Sequence, residues 1–218
     1  MSKVYLPDVA VSRIMSGDVD LLRDGLSRGL KPTILWPMWD TPLLHGICTF
    51  CPPRAAAMAK LVLEAGESTQ TTWRDLTPLM CSVGSYNAEK PDELGIRLEL
   101  VSTLAQDASP DELVLAGMLA VRRGYDEAVK LILDLGCPAN ATTKDGNTML
   151  HEAYASFNKE IAKLLIKRGA DPYQTDNEGA IPAAAINKKI PQHEREAFVL
   201  EVESASPQAN VEARALRL

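Results

Sequence analysis

The chain has 218 residues, 46% of them hydrophobic and 5% aromatic, with a formal net charge of −6 and a pI near 5.2. The acidic balance argues against a general nucleic-acid or acidic-membrane binder, which carries a basic excess. Few strand-favouring aromatics beside abundant Ala and Leu point toward helix.

The first residues, MSKVYLPDVAVSRIMSGD, hold no apolar run of the kind a secretory signal needs. Nowhere does the chain reach the roughly 18 consecutive apolar residues of a membrane span. Cys48, Cys51, Cys81 and Cys137 are scattered through helical segments. Their simplest reading is reduced thiols in a cytoplasmic protein.

In chain order, the first patterned segment is Gly17-Asp18-Val19-Asp20-Leu21-Leu22 with Leu26, closed by Gly29-Leu30-Lys31-Pro32. A second opens on Thr41-Pro42-Leu43-Leu44-His45 and closes at Leu61 to Gly66. A third opens on Thr77-Pro78-Leu79-Met80, 36 residues further along. The next, from Asp111 to Leu119, has no such opening, which predicts an altered hairpin there. Its second half, Arg123 to Leu133 followed by Gly136-Cys137-Pro138-Ala139-Asn140, has the regular helical pattern.

The clearest unit is 145–173. Asp145-Gly146-Asn147 is a turn signal, and the Thr148 hydroxyl can cap the helix that follows. Leu150, Ala153 and Tyr154 form one buried stripe, and Ile161, Leu164 and Leu165 form a second. Gly169 supplies the positive φ that ends the second helix. A shift of 33 residues carries Gly146 to Gly179 and Gly136 to Gly169, a period that marks stacked helix pairs. The run G-N-T-M-L-H-E-A with I-A-K-L-L-I-K-R-G-A-D-P resembles an ankyrin repeat, with Met149 in place of the family's Pro.

That resemblance implies an all-α, ankyrin-like solenoid of about six helix-turn-helix repeats with short hairpin tips, covering residues 4 to 190. Residues 1–203 are expected to form one repeat stack, with a degenerate first repeat and a final one over Asp176 to Lys189. A capping helix over about 192–203 would turn Ala197, Leu200 and Phe198 inward, and 204–218 would be a weakly patterned tail. Two units are overlong. The excess is expected near Cys48–Arg54 and within 84–95, projecting from one edge either as a binding feature or as neutral loop variation.

The resemblance gives His151, and His45 displaced by one residue, a structural role: the imidazole hydrogen-bonds between adjacent turns. His193 has no partner in sequence, and no nucleophile-base set emerges. Cys48-x-x-Cys51 has metal or redox spacing but no second ligand pair, so a metal- or redox-dependent switch is the minor reading. With no phosphate loop or zinc-hydrolase motif, neither catalysis nor a cofactor is expected.

What remains is binding. The resemblance implies a concave surface of hairpin tips and first helices, here Trp36, Met38, Trp39 and Asp40; Trp73, Arg74 and Asp75; Arg122 and Arg123; Lys144, Asp145 and Asn147; and Asn177 and Glu178. All three tryptophans fall at two successive predicted tips, where they would contact a partner or else pack between hairpins. The expected function is a non-catalytic, monomeric protein-binding module. Its sharper form is a stoichiometric inhibitor such as an immunity protein neutralising a bacterial toxin, its negative charge favouring a basic toxin or enzyme. A scaffold joining two proteins is the alternative.

Overall fold

The computed structural model describes residues 6–37, 40–85 and 93–205. It is mostly helical, and its short helices come in antiparallel pairs. The chain forms two compact units, Met1–Glu112 and Leu113–Leu218.

In the first unit, α1 (Asp8–Met15) packs on α2 (Val19–Ser27), and α3 (Leu43–Phe50) packs on α4 (Ala55–Glu64). A third pair is α5 (Pro78–Gly84) with α6 (Leu94–Leu104). The second helices pack in series, α2 on α4 and α4 on α6, while α3 packs on α5. This is the pattern expected of repeats that bury an apolar stripe against each neighbour. A two-stranded ribbon, β1 (Leu35–Trp36) and β2 (Thr41–Pro42), precedes α3.

Helix α7 (Pro110–Arg122) starts in the first unit and continues into the second. As its sequence foretells, no hairpin opens it. A 3-10 turn, Ala105–Asp107, leads in, and the Ser109 hydroxyl accepts from the Glu112 amide to cap the helix. The second unit goes on with α8 (Asp126–Asp134), α9 (Met149–Ala155), α10 (Lys159–Lys167), a 3-10 turn at Pro182–Ala185 and α11 (Gln192–Glu203). Here α8 packs on α10 and α10 on α11, while α9 packs on the 3-10 turn.

Glycines place the turns where sequence predicts them. Gly136 and Gly169 end α8 and α10 at φ 97° and 90°, and Gly146 and Gly179 turn successive tips at φ 80° and 82°. These left-handed values are open to glycine without the steric cost other residues meet.

Two expectations need correction. Thr41 to Gly66 is longer than Thr148 to Gly169, but the surplus makes no single loop at Cys48–Arg54. It is spread as one residue each before α3, within α3, in the connection Cys51–Arg54 and within α4. Distributing the excess keeps the apolar stripes in register without an exposed protrusion. Most of the second surplus, at 84–95, lies outside the described residues. The end helix α11 forms where expected, but only Phe198 and Val202 are buried along it. Ala197 and Leu200 point outward, because the helix rests on the aromatic edge formed by Tyr154 and Phe157. Phe198 stacks on Phe157 at 4.4 Å and meets Tyr154 edge-on at 5.2 Å.

The Met that replaces the family's Pro has a physical counterpart. Met149 is fully buried, and its sulfur lies 2.6 Å from where a Cβ on Gly117 would stand. The bare backbone at Gly117 in α7 therefore makes room for the longer side chain.

Adjacent repeats are joined by imidazoles. His151 Nε2 donates to the Ala180 carbonyl at 3.0 Å, while its Nδ1 accepts from the Thr148 amide at 3.2 Å and closes a capping box. His45 Nε2 likewise donates to the Leu76 carbonyl at 3.2 Å. One residue too far from Thr41, His45 forms no such box, and α3 begins on Pro42 without a side-chain cap.

Two outcomes follow from this packing. Gly117→Ala should cost about 1–2 kcal/mol in urea unfolding despite the better helix propensity of Ala, because Met149 is overpacked. The same change in a Met149→Ala background should cost clearly less; equal costs would remove the proposed contact. The second concerns acid. Burial lowers the His45 pKa from 6.5, outweighing the Leu76 and Thr71 carbonyls that raise it. The native state therefore holds this imidazole neutral where the unfolded chain protonates it. Its contribution is present above about pH 6.5 and is lost as pH falls toward the lower folded value. Urea midpoints measured from pH 7.5 to 5.5 should fall less steeply in His45→Gln than in wild type, and parallel slopes would refute the assignment.

Candidate functional site

The hairpin tips are held by backbone and carry their side chains outward. In the first unit, Trp73 and Leu76 exchange amide–carbonyl bonds of 2.9 and 3.1 Å around Arg74-Asp75. Both central residues have positive φ, 51° and 64°, so the turn has the sense that suits a two-residue hairpin but is built without glycine. The Arg74 guanidinium lies 4.6 Å over the Trp73 ring centre. Trp73 is half-buried, and Arg74 and Asp75 are exposed.

Trp36 requires a correction as a contact residue. It is 2% exposed, its indole N–H donates to the Leu43 carbonyl at 3.1 Å, and its ring meets Phe50 at 5.5 Å. A Cβ on Gly46 would come within 2.1 Å of the indole nitrogen, so the bare face of α3 is the slot this ring fills. An indole with its N–H satisfied inside the protein is a core group. Asp40 is half-buried at the end of the same ribbon, whereas Met38 and Trp39 lie outside the described residues.

In the second unit, two successive tips lock together. Asn177 donates through its side-chain amide to the Lys144 carbonyl at 2.9 Å and through its backbone amide to the Asp145 carbonyl at 3.1 Å. A Cβ on Gly146 would sit 2.6 Å from Asn177 Oδ1, so glycine there also allows the tips to approach. Asn177 is thus committed to joining tips. Lys144, Asp145 and Glu178 are left exposed, and Asn147 is half-buried. A similar clasp sits one turn away, where Asn140 donates to the Gly169 carbonyl at 2.9 Å and accepts from the Asp171 amide at 2.7 Å.

On the first helices of the second unit, Arg122 makes a two-pronged ion pair with Glu152, at 2.9 and 3.0 Å. The hydrogen bonds to that carboxylate raise the Arg122 pKa further. Arg123 is exposed beside it. Glu152 was not foreseen as part of this surface; it stands in the first turn of α9, whereas Arg122 ends α7, so no shared repeat position links them in sequence.

All four cysteines are free and buried. Cys48 and Cys51 are buried, and burial pushes both thiols up; Cys81 is pushed up to about 11 by the same cause. A thiol held protonated is neither a nucleophile nor a ready metal ligand. Among the described residues no group of three or more His, Cys, Asp or Glu is placed to hold an ion.

The residue that sequence reading missed is Arg97 of α6, only 2% exposed. Its guanidinium donates to the Ser82 carbonyl at 2.7 Å and to the Cys48 carbonyl at 3.4 Å, and lies 3.5 Å from Glu93. It thereby serves carbonyls near the ends of both α3 and α5, where helices leave acceptors unsatisfied. The signal was present: Arg97 stands in helical register with buried Leu100, Val101 and Leu104, a position otherwise given to apolar residues.

Comparison with known proteins agrees with this architecture. Residues 95–176 match the family model described as ankyrin repeats in three copies. Diacylglycerol kinase iota of Rattus norvegicus is 40% identical over 67 residues, 29% of this chain and 6% of the kinase. Potassium channel AKT1 of Oryza sativa subsp. indica is 35% identical over 75 residues, 34% of this chain and 8% of the channel. The chain thus spans less than a tenth of either relative, and the likeness is confined to repeats. Ankyrin repeats serve as protein–protein interaction modules, generally without catalysis. Together with the helix pairs and the histidine-linked tips, this match identifies residues 95–176 as ankyrin repeats.

Proposed function

We propose that the chain is a non-catalytic, stoichiometric binder and inhibitor of a protein partner, of the kind represented by a cytoplasmic immunity protein that occludes a toxin. The observation that carries this reading is the Trp73–Arg74 tip, where an exposed guanidinium is held against an indole on a hydrogen-bonded turn. Trp and Arg dominate interface hot spots, and side chains fixed before docking lose less entropy on binding. The second unit, taken by itself, presents exposed polar groups at its own tips, Lys144, Asp145 and Glu178, with Arg123. A net charge of −6 favours a basic partner and speeds encounter with it. A monomeric binder acting alone fits this reading. A scaffold joining two proteins is the alternative, since exposed tip residues occur in each of the two units.

Affinity capture from the native host, read by mass spectrometry, should return one dominant basic protein. Several partners of unlike chemistry would favour the scaffold. With the captured partner in calorimetry, Trp73→Ala and Arg74→Ala should each weaken binding about 10- to 100-fold. Variants that fold normally and keep full affinity would remove this tip from the interface.

A further inference from the structure

Two imidazoles join successive tips, and they are held differently. The His151 ring is tethered on both sides: Nε2 meets the Ala180 carbonyl at 3.0 Å, and Nδ1 lies 3.2 Å from the Thr148 amide and 2.9 Å from the Thr148 hydroxyl. The His45 ring is tethered on one. Its Nε2 donates to the Leu76 carbonyl at 3.2 Å, while its Nδ1 is buried with no hydrogen-bond partner among the described residues. Sequence explains the difference, since His45 stands four residues after Thr41 and His151 three after Thr148.

The Leu76 carbonyl that receives His45 also accepts from the Trp73 amide at 2.9 Å, and so closes the turn that carries Arg74 over the indole. That turn is under strain, because Arg74 and Asp75 have positive φ, 51° and 64°, without being glycine. A strained turn keeps its shape only while its surroundings hold it. We propose that His45 is a proton-gated positioning residue for the Trp73–Arg74 tip, bracing it when neutral and releasing it when protonated, so that the protein partner is held near neutral pH and let go in acid. This deepens the binding reading above and rests on it.

Protonation, by a proton from solvent, puts a second N–H on the ring at Nδ1. The Thr71 carbonyl faces the ring but makes no hydrogen bond to Nδ1, so the new donor and its charge are stranded in the interior. Of the elements packed on α3, α4 carries Lys60 and Glu64, both exposed, and α5 carries Cys81, which like Cys48 of α3 itself is a buried thiol held protonated. The β1–β2 ribbon adds half-buried Asp40, and the turn adds exposed Arg74 and Asp75. None of these charges acts on the ring: burial lowers its pKa below 6.5 and outweighs the Leu76 and Thr71 carbonyls. The brace is therefore complete at pH 7 and is lost as pH falls through the lower folded value.

Nuclear magnetic resonance of the isotope-labelled full chain tests the gate without a partner. From about pH 7.5 to 5.0, the Trp73 indole N–H and Arg74 Nε–H signals should move with the midpoint of the His45 ring, while the Trp36 indole signal stays in place. In His45→Gln, whose side-chain amide can still donate to Leu76 but does not titrate, the Trp73 movement should vanish. A Trp73 signal unmoved down to pH 5.0, or one that moves equally in His45→Gln, overturns the proposal. Loss of the Trp36 signal at the same midpoint also overturns it, because the unit as a whole then melts rather than the tip. With the captured partner, affinity over the same range should fall at least about fivefold in the wild type and less than about twofold in His45→Gln. A tip that titrates in the spectra while affinity ignores both pH and Trp73→Ala separates failure of the binding surface from failure of the gate.

Discussion

Everything in this protein depends on short helices that cannot bury their faces alone, and on the bonds that fix one pair against the next. The imidazole link does this most directly. A histidine in the first turn of one repeat donates to a carbonyl at the following tip, His45 to Leu76 and His151 to Ala180. A buried carbonyl without a donor is costly, so each link sets the register of a whole repeat. Packing then follows from register: once the tip is placed, the apolar stripes of successive helices come face to face. Asn140 and Asn177 repeat the device in the second unit, each joining segments about one repeat apart.

Departures from the repeat show how its interior tolerates change. Met149 replaces a proline, and Gly117 lacks a side chain where the sulfur sits. Trp36 fills a slot against α3, and Gly46 opens the space for it. In the overlong unit, four extra residues are absorbed singly in helices and connections. There Arg97 reaches across to carbonyls of α3 and α5, doing for the first unit some of what the regular turns do for the second. Each irregularity has a partner elsewhere in the chain. Close packing requires this, because an interior at crystal-like density has no free volume in which to lose a methyl group.

The fold was largely legible in the sequence because its signals are local. Gly136, Gly146, Gly169 and Gly179 mark turns by backbone freedom alone, and Thr148 with His151 announces a capped helix within four residues. The candidate surface was less legible, because exposure is a property of the assembled structure. Trp36 and Trp73 stand five and four residues before a Thr-Pro-Leu run, yet one is buried in the core and the other half-exposed at a tip. What separates them is Gly46, ten residues downstream of Trp36 and opposite it only after folding. The direction of α11 was misread for the same reason. Ala197, Phe198 and Leu200 were all apolar candidates, and only the aromatic edge at Tyr154 and Phe157 decides which turn inward.

This division between glue and surface bears on how such a chain acquires a partner. Residues that join repeats are constrained on both sides: His151 and Asn177 each hold two groups, and replacing either disturbs a neighbouring turn. Tip side chains such as Arg74, Lys144, Asp145 and Glu178 point away from the bonds that hold their own backbone. They can change without altering the scaffold, since surface substitutions away from packed or bonded groups move stability by about 0.5 kcal/mol or less. Stability and recognition are therefore encoded by different atoms of the same short loops. Specificity can drift at the tips while the imidazole links keep every tip in its place.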